Sequence, residues 1–181
     1  MTMMITIRFD LPPNEFVTCF RFTKTIAIEA SSGPTPLLIL SVNVTSGNFD
    51  NAECHGKLYV FPLDFLFARS RSSHTSSHTS SMNAPITLQP WWEKVFEGSI
   101  TTFEVMKNLL VIATIATGQN ITGWSRLAMV NVGNRTVLSG MSQTFDLPYY
   151  ISSISIFKTY ILVGSMKMGM TFLKWKVSEL N

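Results

Sequence analysis

Ser99-Ile100-Thr101-Thr102-Phe103-Glu104-Val105-Met106, then Lys107-Asn108, then Leu109-Leu110-Val111-Ile112-Ala113 is the stretch that decides the fold of this chain. Two short runs rich in Ile, Val, Thr and Phe flank a two-residue break. β-branched and aromatic side chains fit a pleated surface, and a two-residue loop reverses the chain, so the stretch predicts a β-hairpin. The arrangement recurs. Ser153-Ile154-Ser155-Ile156-Phe157, a turn, and Tyr160-Ile161-Leu162-Val163-Gly164 form a second copy. Phe16-Val17-Thr18-Cys19-Phe20 followed by Leu37-Leu38-Ile39-Leu40 is a more distant third. Each copy then adds another strand-like run: Lys57 to Phe61, Gly123 to Val132, and Met170 to Val177. Units of four antiparallel strands in roughly 40–50 residues are the mark of a repeat architecture.

Outward from these units, the remaining apolar runs agree. Leu37 to Val44 reads as a buried strand, and Gly133-Asn134 supplies the positive φ values that a tight hairpin requires. No segment carries a long 3.6-residue period. The expectation is an all-β chain: a partial β-propeller of about three WD-like, four-stranded antiparallel blades spanning residues 1–181, divergent or truncated. One segment breaks the pattern. Residues 69–85 hold a Ser/Thr/His-rich tract with a repeated Ser-Ser-His-Thr, too polar to offset its ordering entropy, and predict a disordered loop insertion.

Composition narrows the function classes. Of 181 residues, 46% are hydrophobic and only 14% charged, with a net charge of +3. Such a chain can build a core and still expose surfaces that need a partner. Lys and Arg never gather into a run, so no continuous basic stripe for nucleic acid is visible. No apolar run approaches the ~20 residues of a membrane-spanning helix. The two cysteines, Cys19 and Cys54, lie far apart and read as reduced thiols, with no clustered zinc ligands. The Asn-x-Thr triplets at Asn43, Asn120 and Asn134 read as coincidental.

Candidate chemistry is sparse. His74 and His78 are spaced i, i+4, but on no helical pattern and beside no carboxylate. His55 reads as a solvated loop residue. Acidic residues are scattered, and no nucleophile elbow or phosphate-binding glycine loop occurs. Trp91-Trp92 would point to opposite faces of a strand, one into the core and one onto the surface. The phenylalanines and methionines read as core filling. The expectation is therefore a non-enzymatic chain with no catalytic residue, metal or cofactor and no small-molecule substrate.

Four stretches resemble one family of propeller proteins. Glu15-Phe16-Val17-Thr18-Cys19 is similar to its Val-Thr-Cys strand, and Gly56-Lys57-Leu58-Tyr59-Val60-Phe61 to its Gly-Arg-Ile/Leu-x-Val-Phe strand. Glu93-Lys94-Val95-Phe96-Glu97-Gly98 resembles a blade start. Leu138-Ser139-Gly140-Met141, Phe145-Asp146, Tyr150-Ile151 and the closing Tyr160 to Gly164 follow in the family's order. The family is that of the large subunit of the cleavage and polyadenylation specificity factor. It also includes the damaged-DNA-binding protein large subunit and a spliceosomal paralogue. Ser165 departs from the family's Asp at that place. The resemblance implies structural signature positions at Val17, Cys19, Gly56, Leu58, Val60, Phe61, Gly98, Gly140, Met141, Tyr150, Ile151 and Gly164. It implies a nuclear scaffold for pre-mRNA 3′-end processing within a multi-subunit protein complex. Nucleic acid would be contacted indirectly, and no membrane would be involved. The alternatives it leaves are an adaptor of a cullin ubiquitin ligase and a spliceosomal subunit. A hydrolase on a propeller would need convergent polar side chains, and the sequence shows none. About three blades leave a ring open, so a fragment or a reduced relative completed by another chain is expected.

Overall fold

The computed structural model describes residues 7–26, 35–46, 53–63, 86–106, 109–115, 124–133, 136–137 and 144–175. All regular elements within them are β-strands. The Ser/Thr/His-rich tract expected as a loop over 69–85, with His74 and His78, lies outside the described residues.

Two short strands, β1 (Ile7–Arg8) and β5 (Ile86–Thr87), pair in parallel. The other strands form three antiparallel sheets, each in sequence order. The first sheet runs β2 (Glu15–Ile26), β3 (Thr35–Ser46), β4 (Glu53–Pro62) and β6 (Trp92–Phe96). The second runs β7 (Ile100–Met106), β8 (Leu109–Ile115) and β9 (Ser125–Asn131). Its fourth row is split between β10 (Thr136–Val137) and β11 (Thr144–Leu147), which pair with opposite ends of β9. The third sheet runs β12 (Ser153–Phe157), β13 (Tyr160–Ser165) and β14 (Gly169–Lys174).

The hairpins fall where the turn residues place them. Met106 pairs with Leu109 across the expected two-residue break. Phe157 pairs with Tyr160 across Lys158-Thr159, and Lys158 takes a left-handed φ of 56°. In β2 the register slips between Val17 and Cys19. The fully buried Ser41 hydroxyl holds this bulge, donating to the Cys19 carbonyl at 3.2 Å and sharing a 2.8 Å hydrogen bond with Thr18.

The three sheets stack face to face, with the second in the middle. Leu37, Ile39, Leu58 and Val60 of the first sheet form one cluster with Ile100, Phe103, Leu110, Ile112 and Val130 of the second. Val111, Ala113, Leu127 and Met129 of the second form another with Ile154, Ile161 and Val163 of the third. Alternate residues of a strand face opposite sides, so Leu110 and Ile112 serve one cluster and Val111 and Ala113 the other. This is why the run from Leu109 to Ala113 is continuously apolar: both faces of β8 are buried. Between sheets, the first strands make the most extensive contacts, β7 meeting β2 on one side and β12 on the other.

Polar groups seat each junction. The Asn43 amide bridges the backbone of Ile100, accepting from its N–H at 2.8 Å and donating to its carbonyl at 3.3 Å. It stands in for a strand partner at the start of β7. At the next junction the buried Ser125 hydroxyl accepts from the Ile151 N–H at 2.9 Å. Gly56 approaches the turn before β7 so closely that its N–H donates to the Gly98 carbonyl at 2.7 Å. A Cβ on Gly56 would overlap the Ile100 side chain and lie 2.9 Å from its backbone nitrogen. Gly98 itself has a left-handed φ of 76°.

The outer face of the first sheet is partly covered from within the chain. Phe9 and Leu11 pack with Leu88 on Val42, Tyr59 and Phe61. The Phe9 ring meets those of Tyr59 and Phe61 edge-on at 5.1 and 4.7 Å. Leu88 is tied by its N–H to the Arg8 carbonyl at 2.9 Å.

Two local expectations need correction. Trp91 and Trp92 do not divide between core and surface; both are half-buried against the first cluster. Trp91 precedes β6, with its N–H on the Val60 carbonyl, so strict strand alternation does not govern it. His55 is not a loop residue. It pairs with Val44 inside β4, half-buried, and is not without a partner.

Replacing Gly56 with Ala should lower stability by about 1–3 kcal/mol, because backbone would have to move to admit the methyl group. Asn43→Ala should cost a similar ~1–3 kcal/mol by stranding the buried Ile100 backbone. Denaturant melts followed by tryptophan fluorescence measure both. Wild-type midpoints in either variant would contradict the junction geometry.

Candidate interaction surfaces

The family-signature positions do not gather into a pocket. Leu58 and Val60 are fully buried in the first cluster, with Cys19 packed against them. Phe61 is fully buried on the opposite face of the first sheet. Gly56 and Gly98 meet at the first junction, and Ile151 is fully buried at the second. Gly164 sits in β13, where a Cβ would overlap the Ser153 hydroxyl. Val17 and Tyr150 are exposed. Gly140 and Met141 lie outside the described residues. The described signature residues therefore set strand and sheet spacing, apart from the exposed Val17 and Tyr150.

Among the described residues, no three His, Cys, Asp or Glu side chains come together as a metal-binding set. The two free thiols are half-buried, and Cys54 accepts a 2.7 Å hydrogen bond from the Ser99 hydroxyl.

One charged network lies on the outer face of the first sheet. The Glu15 carboxylate accepts from the Tyr59 hydroxyl at 2.7 Å and from the Lys57 ammonium at 3.4 Å. Lys57 also pairs with Glu93 at 3.3 Å and lies over the Tyr59 ring. The network crosses β3 and clamps the start of β2 to β4. Burial opposes the charge on Lys57, but its contacts with Tyr59, Glu15 and Glu93 outweigh that and raise its pKa. Burial raises the pKa of the Tyr59 hydroxyl, and its bond to Glu15 adds to this against the pull of Lys57. A second pair, Arg126 with Asp146, is bidentate at 2.8 and 3.2 Å and holds β11 on β9.

Two apolar surfaces are left open among the described residues. The first is β2, twelve residues long and at the end of its sheet. It exposes Phe16, Val17, Phe20 and Phe22, the last at 66%. A long edge strand with exposed rings is a template for another segment of backbone. Arg21 is its ionic tie to the second sheet, 3.4 Å from Glu104. The second surface is the face of the third sheet turned away from the stack. Phe157, Tyr160, Met170 and Phe172 are exposed there, with Met166 and Met168 in the adjoining turn.

Core filling thus describes Phe61 and Phe103 but not these residues. The alternation of Gly169-Met170-Thr171-Phe172-Leu173-Lys174 carried the signal. Among the described residues only one of its two faces, the one with Leu173, has a sheet to pack on.

The strands, stacking and surfaces define an all-β protein of stacked antiparallel meanders. No protein-family model and no curated protein matches the chain.

The pKa values of Lys57 and Tyr59 both stand above their ordinary 10.5 and 10.0 in the folded chain. A raised folded pKa adds stability that is complete below the ordinary value and is lost as pH climbs through the folded one. Stability from this network should therefore hold at neutral pH and decline above about pH 10. Tyr59→Phe should shrink that alkaline decline, measured as melting midpoint against pH. An unchanged alkaline profile in the variant would show that the network does not couple folding to pH.

Proposed function

We propose that this chain is a partial β-propeller acting as a non-enzymatic nuclear scaffold, similar to the propeller region of the large subunit of the cleavage and polyadenylation specificity factor. Its role would lie in pre-mRNA 3′-end processing, as one part of a multi-subunit protein assembly. The observation that carries the reading is the arrangement of the sheets. Each is a meander in sequence order, consecutive sheets stack face to face, and their first strands come closest together. Blades fanning out from a common axis have this arrangement. The resemblance at Gly56, Leu58, Val60 and Gly98 adds to it, because those residues occupy the first sheet junction. Blades present loops and edges to partner proteins. Here the outer face of β2, which exposes Phe20 and Phe22, is the surface best suited to receive a partner protein.

Affinity purification of the tagged chain from nuclear extract tests this reading. Polyadenylation factors should co-purify, and a Phe20→Asp, Phe22→Asp double variant should reduce their yield several-fold without unfolding the chain. Recovery of a cullin with its substrate receptors, and no polyadenylation factor, would sink the reading in favour of the ligase adaptor.

A further inference from the structure

The outward face of the third sheet has a chemistry unlike the faces buried inside the molecule. Its side chains form three cross-strand rows. Phe157, Tyr160 and Lys174 make the first, Ser155, Leu162 and Phe172 the second, and Ser153, Gly164 and Met170 the third. Phe157 is 70% exposed, Phe172 71% and Tyr160 43%. Successive rows are about 6.8 Å apart along the strands. The Lys158 ammonium lies 5.4 Å from the centre of the Phe157 ring, and that of Lys174 lies 5.7 Å from the centre of the Tyr160 ring. Exposed Lys167 occupies the turn at the other end, between β13 and β14. From Tyr149 to Trp175 the chain holds these three lysines and no Asp or Glu.

The two faces buried between sheets are different. Their fully packed members are almost all aliphatic, Phe103 being the aromatic exception, and the charged residues that join the first two sheets, Arg21 and Glu104, are paired with each other. A further sheet stacked on the third would bury Lys158 and Lys174 with no carboxylate on this sheet to pair them. Open aromatic rings on a sheet face, with ammonium groups beside them, suit a ligand that has flat faces and a negatively charged backbone. A duplex hides its base faces, so the bases must be unpaired to reach the rings.

We propose that this face binds single-stranded nucleic acid. Bases stack on Phe157, Tyr160 and Phe172, while Lys158, Lys174 and Lys167 meet the phosphates. The proposal goes beyond the scaffold reading, in which nucleic acid is contacted only through partners. It rests on a different surface from β2, so failure here leaves the co-purification result standing.

Fluorescence anisotropy of the 181-residue chain with labelled oligouridylate and oligothymidylate of about a dozen nucleotides tests it. Saturable binding is expected at low salt, weaker for a duplex of the same length. Phe172→Ala should weaken binding about tenfold, and Phe172→Tyr should restore it. Lys158→Ala with Lys174→Ala should reduce the slope of log affinity against log salt by about 1.4, roughly 0.7 for each phosphate contact on a single strand. All these side chains are exposed, and circular dichroism checks that the variants fold. Absence of binding at low salt, or binding indifferent to Phe172→Ala and to the double lysine variant, would overturn the proposal. So would a dimer by sedimentation that Phe172→Glu dissolves, with no oligonucleotide bound; that result would assign the face to a second copy of the chain.

Discussion

Everything in this molecule depends on burying the second sheet on both faces. A sheet covered on one side can alternate apolar and polar residues. A sheet covered on both sides must be apolar throughout, and its neighbours must come close enough to exclude water. β8 meets the first condition with four consecutive buried apolar residues from Leu110 to Ala113. The second is met by Gly56, where the absent side chain lets the first sheet reach the turn at Gly98. Close approach strands backbone groups, and Asn43 and Ser125 satisfy them at the two junctions. Packing and polar satisfaction are thus solved at the same two junctions.

The two ends of the stack are not equivalent. At one end Phe9, Leu11 and Leu88 lie over Tyr59 and Phe61, and the Glu15, Lys57 and Tyr59 network anchors the edge strand beside them. At the other end no described segment covers Phe157, Tyr160 and Phe172. Lysines on that outer face make it a poor seat for a fourth aliphatic layer and a better one for an anion with aromatic faces. The fold and the exposed surfaces therefore carry separate information. Stacked meanders speak to architecture, while the aromatic and lysine rows speak to a ligand.

Much of the fold was legible in the residues. The hairpins at Met106–Leu109 and Phe157–Tyr160 follow from short-range turn chemistry, which acts within a few residues. The three four-strand units emerge as sheets in sequence order, although the third shows three strands among the described residues. The interaction surfaces were less legible. Asn43 reads in the sequence as one residue of a strand and of an Asn-x-Thr triplet, yet its partner is Ile100, on another sheet. Nothing near Asn43 in the chain indicates that contact. The aromatic residues of the third sheet resemble core residues in composition, and only the number of covering layers separates the two cases.

By itself, the sequence determined most strands of the three main sheets, their hairpin turns and their antiparallel order, because periodicity and turn propensity are local properties of the chain. Tertiary structure alone decided which apolar faces meet a neighbour. It buried Leu110 and Val111 on opposite sides of one sheet, left Phe172 in solvent, and turned Asn43 into a bridge between sheets. The physical reason is that burial belongs to pairs of surfaces. A strand's pattern states what it can cover, and only the stacking of whole sheets states what covers it.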